Sequence, residues 1–437
     1  MTIIVSQIAG VFGGISTTGA IDSDDIYGHC QGYPQFREDP IHVGSVREIP
    51  GATTLTMAGD DEHARQRRAL SHAFSQKALL EQESIIKGYV DLFIERLTPF
   101  AANGTKINMC DWFNYTTFDF IGDMAFGEPF GCLQDGKEHS WVGLITETIK
   151  AGAFEQSTRR VFQAGSFWQK KLMWFIPEHL KEKRRRHLVL SKEKVMKREH
   201  RDFLYYNLRQ NEKGSVSEAE IILNSALFIA AGSETTASLL AGLIMWLMRT
   251  PRVYQKLASE VRSRFKSASD INFVDLQALP YINACLEEGM RIFPSIPTGL
   301  TRTVPKNGDT IAGQWIPGGT TVSVYSWAAT HSPDNFVQPE EFIPERWLAG
   351  SGAEFSADRK DASQPFSLGP RGCIGRHLSY LELRLILASL LWNFDIERAD
   401  LPGFDIWDLE DNLKHVKAFN TWDKPPLMCK LTPVKRD

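Results

Sequence analysis

The stretch Phe366-Ser367-Leu368-Gly369-Pro370-Arg371-Gly372-Cys373-Ile374-Gly375 carries the residue types needed to present a sulfur as a metal ligand. Gly369 and Gly375 permit a tight turn and a close approach of backbone to a flat group. Backbone N–H groups of the turn, and of the helix that should follow, can point at the Cys373 sulfur and hold it as thiolate. Arg371 offers a guanidinium to a carboxylate, and Phe366 can shield the sulfur from water. Most cysteines are buried free thiols, which suits Cys30, Cys110, Cys132, Cys285 and Cys429. For Cys373 that explanation fails, because five fixed positions coincide by chance about once in ten thousand chains of this length or more rarely.

Two further groups of residues could take part in chemistry. Ala231-Gly232-Ser233-Glu234-Thr235-Thr236 places an acid and hydroxyls inside an apolar helical stretch, a costly arrangement unless they are satisfied or used. Ala231 and Gly232 leave room beside the helix, and the Thr235 hydroxyl can bond back to the Ala231 carbonyl, opening the ladder locally. Glu288 and Arg291 stand at i, i+3 and share one helix face, a spacing that by itself is common on surfaces.

The spacing F-x-x-G-x-R-x-C-x-G around Cys373 resembles the signature of the cytochrome P450 family, and Ala231–Thr236 resembles that family's A/G-G-x-D/E-T-T/S segment. Phe342-Ile343-Pro344-Glu345-Arg346-Trp347 is similar to its F-x-P-E-R-W segment. The resemblance implies haem b with Cys373 as axial ligand, and electrons from NADPH through a partner reductase, with cytochrome b5 as a further candidate partner. It implies that Thr235 bonds the bound oxygen while Glu234 relays protons. It also implies a buried Glu288–Arg291–Arg346 cluster that braces the region behind the haem. His63 and Arg67 match the family's H/W-x-x-x-R helix, and Arg302 stands where members carry another propionate arginine. Arg65, Arg68 and Arg376 would be left as a basic dock for an acidic reductase. By family position Phe228, Ile229, Ile296, Thr298 and Leu300 face the substrate. The branch most similar in text is that of filamentous-fungal secondary metabolism, from about Asp24 to the Lys424-Pro425-Pro426-Leu427 tail.

Such residues need rigid elements to position them. The periodicity predicts a mainly α fold, the large helical body of the cytochrome P450 fold with a long central helix and small peripheral sheets. Residues 60–74 read as a basic helix, 76–97 as an amphipathic helix ending near Pro99, and 280–293 as a helix begun by Pro280. Residues 217–249 predict the longest helix, with S-x-x-E signals at Ser215/Glu218 and Ser217/Glu220 and a stop at Thr250-Pro251. The main strand signal is Thr320–Val324, and helix returns over 375–392.

With 43% hydrophobic and 23% charged residues and a formal net charge of -4, the 437-residue chain has no general affinity for nucleic acid. Residues 1–22 read as a leader without a convincing transmembrane helix or a basic n-region, and 23–437 as a single haem-thiolate domain lacking the family's usual anchor and first strands. By resemblance the site of action is the cytosolic face of the endoplasmic reticulum membrane. The aromatic and lysine-rich stretch from Phe167 to Ile176 offers a peripheral membrane contact, against the alternative of a buried helix end. The expected activity is insertion of one oxygen atom into a hydrophobic small molecule, by hydroxylation or epoxidation. The alternatives are a haem-binding protein without monooxygenase activity, such as a sensor or a truncated inactive form, and a haem-thiolate isomerase or peroxide-driven enzyme. Glu234 and Thr235 speak against the sensor and against the isomerase or peroxide-driven enzyme, since none of these needs an internal proton relay.

Overall fold

The computed structural model describes residues 49–162, 165–196, 216–399, 407, 413 and 415–436, together with the backbone of three short strands nearer the start of the chain. Those strands are β1 (Thr2–Ile3), β2 (Thr17–Thr18) and β3 (Arg37–Glu38). The rest of the predicted leader lies outside the described residues.

The body is helical. In chain order its main helices are α1 (Asp60–Ser71), α2 (Glu83–Asn103), α3 (Met109–Phe126), α4 (Ser140–Val161), α5 (Glu178–Met196), α6 (Glu218–Arg249), α7 (Pro251–Arg264), α8 (Pro280–Ile292) and α9 (Arg376–Asn393). The remaining strands are β4 (Lys106–Asn108), β5 (Gly299–Thr303), β6 (Asp309–Ile311), β7 (Gln314–Ile316), β8 (Thr321–Tyr325), β9 (Phe394–Arg398), β10 (Lys417–Phe419), β11 (Thr421–Asp423) and β12 (Met428–Pro433). They form small antiparallel sheets, β3-β5-β8 and β4-β12-β9 with three strands each, and the pairs β1-β2, β6-β7 and β10-β11. In the first of these, Leu300 pairs with Val324 and Arg302 with Val322.

Helix α6 runs as predicted. Ser217 caps it with its hydroxyl on the Glu220 N–H, and the Glu220 carboxylate returns to the Ser217 N–H. At about 1.5 Å per residue its 32 residues span about 48 Å. It is long and apolar enough to cross a membrane, but most of it is buried among the other helices, so it serves as the core helix of the body. Close approach is bought with glycine: a Cβ on Gly232 would lie 2.7 Å from Ile121 of α3, and one on Gly242 would lie 2.2 Å from the Phe293 ring. One continuous hydrophobic core joins α2, α3, α6, α7, α8 and α9.

The expected break at Pro99 does not occur. Pro99 lies inside α2, which continues to Asn103 and ends at Gly104, at φ 62°. Proline removes one hydrogen bond, but Pro99 sits on the exposed side of the helix, where solvent can replace it. The segment before α2 is also split, with a short helix at Gln76–Leu80 preceding it.

Candidate active site

Cys373 lies in the turn that leads into α9. Its N–H donates to the Phe366 carbonyl at 2.8 Å, and the Gly372 N–H to the Gly369 carbonyl at 3.0 Å. Gly369 has φ 71°, the left-handed conformation that favours glycine, so its place in the motif follows from backbone geometry. Gly375 differs, with φ -83°; a Cβ there would stand 3.8 Å from the Cys373 sulfur, so glycine leaves space beside the sulfur itself. Cys373 is an exposed residue with protein packed around its sulfur. Burial pushes its pKa up, opposed by the Gly375 N–H and by Arg67 and Arg376. The protein alone therefore favours the thiol, and a bound metal cation would supply what the thiolate needs. Phe366 packs beside Tyr380 with ring centroids 5.3 Å apart, and the Arg376 guanidinium lies 5.8 Å from the Phe366 ring.

A cationic cluster borders the same loop. Burial, then Arg371, Arg67 and Arg302, push the pKa of His63 down to about 4, with Asp60 acting the other way. Arg67 donates to the Gly372 carbonyl at 2.7 Å, and Arg371 to the Ala58 carbonyl at 2.8 Å and to Asp60 at 3.0 Å. Arg302 is fully buried on β5 and donates to the Thr301 carbonyl at 3.0 Å. Arg67, Arg302 and Arg371, gathered around His63, suit a ligand that brings carboxylates of its own. Among the described residues no group of three or more His, Cys, Asp or Glu side chains is placed to hold a metal ion. A metal-bearing macrocycle with two propionates fits this cationic cluster, and Cys373 would supply the protein's ligand to its metal.

On α6 the accessible positions within a buried stretch are Leu227, Ala230, Ala231, Gly232 and Thr235, of which Leu227, Ala231 and Thr235 lie one turn apart on a single face. The Thr235 hydroxyl donates to the Ala231 carbonyl at 2.7 Å, as expected. Hydroxyls also reach the next carbonyls along: Thr117 donates to that of Ser233 at 3.1 Å and Ser295 to that of Thr235 at 2.8 Å. Thr236 donates to Glu382 on α9 at 3.2 Å, which ties this segment to the helix that Cys373 opens. Glu234 points elsewhere; it is buried and ion-paired with Lys424.

Of the predicted substrate residues, Ile296, Thr298 and Leu300 alternate as partly accessible positions leading into β5. Phe228 and Ile229 do not share the open face of α6. Phe228 packs on Phe74 with centroids 5.4 Å apart, and Ile229 is fully buried. One residue of helix is a rotation of about 100°, enough to turn a side chain from cleft to core. Leu227 and Ala231 occupy the place expected for them. Arg65 also departs from expectation: it ion-pairs with Glu220 at the start of α6, while Arg68 and Arg376 remain exposed.

The bracing cluster is complete. Glu288 receives both Arg291 nitrogens at 2.8 Å, Arg346 at 3.3 Å, the Trp347 indole N–H at 2.8 Å and the Ile343 N–H at 2.8 Å. Burial would raise the Glu288 pKa, but Arg291 and Arg346 outweigh it and the group is held below the usual carboxylate range. Asp358, which the motifs do not mark, is the second carboxylate on Arg346.

The cytochrome P450 family model matches residues 20–409 of the chain. The chain belongs to the cytochrome P450 family. It is 43% identical to the cytochrome P450 monooxygenase aba2 of Botryotinia fuckeliana (strain B05.10) over 426 residues, covering 94% of this chain and 80% of that protein. It is 42% identical to the cytochrome P450 monooxygenase ABA2 of Pyricularia oryzae over 427 residues, covering 94% of this chain and 81% of the relative. Against the cytochrome P450 monooxygenase astA of Talaromyces wortmannii the identity is 43% over 417 residues, covering 94% and 80%. Like other P450 monooxygenases it uses haem with a thiolate ligand, receives electrons from a redox partner, typically from NADPH, and acts on a small molecule.

Proposed function

We propose that this P450 hydroxylates or epoxidises a hydrophobic secondary metabolite of a filamentous fungus, with Cys373 as iron ligand and Glu234 and Thr235 as the proton path. What carries this reading is the exposed Cys373 in a turn bordered by His63, Arg67, Arg302 and Arg371, with the helix it leads into tied to α6 through the Thr236–Glu382 hydrogen bond. When bound, haem supplies the activation of dioxygen. The cationic cluster would hold its propionates, the Cys373 turn would fix the sulfur, and the Thr235 hydroxyl would present a proton on the open face of α6. Glu234 would recharge that hydroxyl from solvent. The apolar lining offered by Leu227, Ala231, Ile296 and Leu300 suits a terpenoid, a polyketide or a prenylated alkaloid.

The working position is the cytosolic face of the endoplasmic reticulum membrane, with a reductase and cytochrome b5 as electron donors. Phe167, Trp168, Trp174 and Phe175 are exposed together, Trp174 by 81% and Phe175 by 84%, and Lys171 lies 4.9 Å from the Phe167 ring. A cluster of exposed aromatics edged by lysines suits the headgroup boundary of a bilayer.

The deciding experiment is spectroscopic. The reduced carbonyl complex should show the far red-shifted Soret band of a thiolate-ligated haem, and Cys373→Ser should abolish it; a band that survives removes Cys373 as ligand. Thr235→Ala should raise peroxide released per NADPH consumed. Unchanged coupling would take Thr235 out of the proton path.

A further inference from the structure

Around Thr235 the carbonyls of Ile229, Ala231, Ser233 and Thr235 on α6 each receive a side-chain hydroxyl. Ser233 donates to that of Ile229 at 2.6 Å and Thr235 to that of Ala231 at 2.7 Å, both from within the helix. The other two donors come from outside: Thr117 of α3 reaches the Ser233 carbonyl at 3.1 Å, and Ser295 reaches the Thr235 carbonyl at 2.8 Å. A carbonyl oxygen has two lone pairs, so it can accept such a bond without leaving the helical ladder, and each added bond bends the helix locally. Of the two outside donors, Ser295 belongs to the segment that goes on to Ile296, Thr298 and Leu300. That segment is pinned on both sides of Ser295. Phe293 packs its ring so closely on α6 that a Cβ on Gly242 would lie 2.2 Å from it, the Pro294 carbonyl accepts the Trp422 indole N–H at 2.8 Å, and the Pro297 carbonyl accepts the Trp327 N–H at 3.1 Å. Thr235 and Gly242 stand two turns of helix, about 10 Å, apart. Contacts that far apart along the axis fix both the height and the tilt of α6 against the segment.

We propose that Ser295 is a positioning residue for substrate specificity: its hydrogen bond to the Thr235 carbonyl sets how far Ile296, Thr298 and Leu300 stand from the Thr235 side of α6, and so the bulk of the group that fits between them. This rests on the reading of those three residues as a wall of the substrate site, with Thr235 facing the same space. Without the bond, the segment keeps its outer ties at Phe293, Pro294 and Pro297, so the fold survives and the register between wall and helix relaxes. Thr117 supplies the internal comparison. It makes an equivalent bond to a neighbouring carbonyl, but from α3, where Ile121 packs one turn further along against Gly232. Its loss would loosen α6 without releasing the substrate wall.

The test uses the haem-loaded enzyme and two nitrogenous ligands of different bulk, imidazole and its phenyl derivative, whose binding is read without turnover from the Soret shift. Ser295→Ala should change the ratio of their dissociation constants by about fivefold, the worth of one neutral hydrogen bond, and broaden the C–O stretching band of the reduced carbonyl complex. Ser295→Thr, which keeps the hydroxyl, should hold both at parental values. Thr117→Val should leave the ratio unchanged. Where Ser295→Ala fails to hold haem, Ser295→Cys, nearly the same size but a weak donor, serves instead, with shifts expected in the same direction. If ratio and band stay parental in the Ser295 variants while Ile296→Ala shifts the ratio, the role of Ser295 is overturned and the substrate wall stands. An equal shift in Thr117→Val overturns that role as well, by assigning the effect to α6 alone. If Ile296→Ala also leaves the ratio unchanged, the substrate wall itself falls, and this proposal with it.

Discussion

Glu382 is fully enclosed on α9, with Thr236 as its hydrogen-bond partner and, among the described residues, no ion pair. Burial raises its pKa to about 8, against the lowering effect of Thr236. The folded enzyme therefore holds this proton up to about pH 8, while the unfolded chain releases it near the ordinary value of 4.5. Stability from this group is fully present below about pH 4.5, falls by up to about 1.4 kcal/mol per pH unit as pH rises toward 8, and then levels off. Glu382→Gln should flatten that decline, as measured by denaturant unfolding of the holoenzyme across the range; parallel slopes in parent and variant would remove Glu382 as its source. Nothing in the local sequence marks this residue, because its partner lies 146 positions away. Lys424 escapes notice as a partner of Glu234 for the same reason, standing 190 positions from it. Cys373 is readable from the spacing of its turn, whereas the roles of Thr235 and Glu288 are read through the family resemblance, since their spacings alone are common in helices.

At the scale of elements, the caps and glycines of α6 could be read directly, whereas its rotation about its own axis could not. The stretch near Phe228 is apolar on almost every side, so periodicity gives no face, and the neighbours that choose one, Phe74 against Phe228 and Ile121 against Gly232, are distant in sequence. Pro99 misled for a related reason: a breaker breaks only where its lost hydrogen bond cannot be met by water. The Glu288 cluster links α8 to the segment around Arg346 and to the carbonyls of Thr330, Pro339 and Glu341, each at 2.7–2.9 Å from Arg291. Arg346→Met would strand Asp358 and weaken Glu288 in a dry interior. The expected loss is about 3–5 kcal/mol of stability in denaturant melts of the holoenzyme, together with poorer haem retention. A loss below about 1 kcal/mol would mean that water reaches the pair.

For the molecule as a whole, the aromatic cluster from Phe167 to Phe175 holds the most exposed large hydrophobic side chains among the described residues. Replacing Trp174 and Phe175 together by serine should weaken binding to phospholipid vesicles by at least about tenfold while leaving the carbonyl Soret band intact. Equal sedimentation of parent and variant with vesicles would assign the patch to some other contact. The haem cradle has a different whole-chain property. Its two sides are joined by the hydrogen bond from Arg67 to Gly372, whose residues are 305 positions apart. At about 5–20 residues per second, a ribosome needs roughly 15–60 s to make the second side after the first. During that interval His63, Arg67 and the basic face of α1 exist without the sulfur they border. Assembly of the site proposed for haem therefore belongs to the last moments of synthesis or after it.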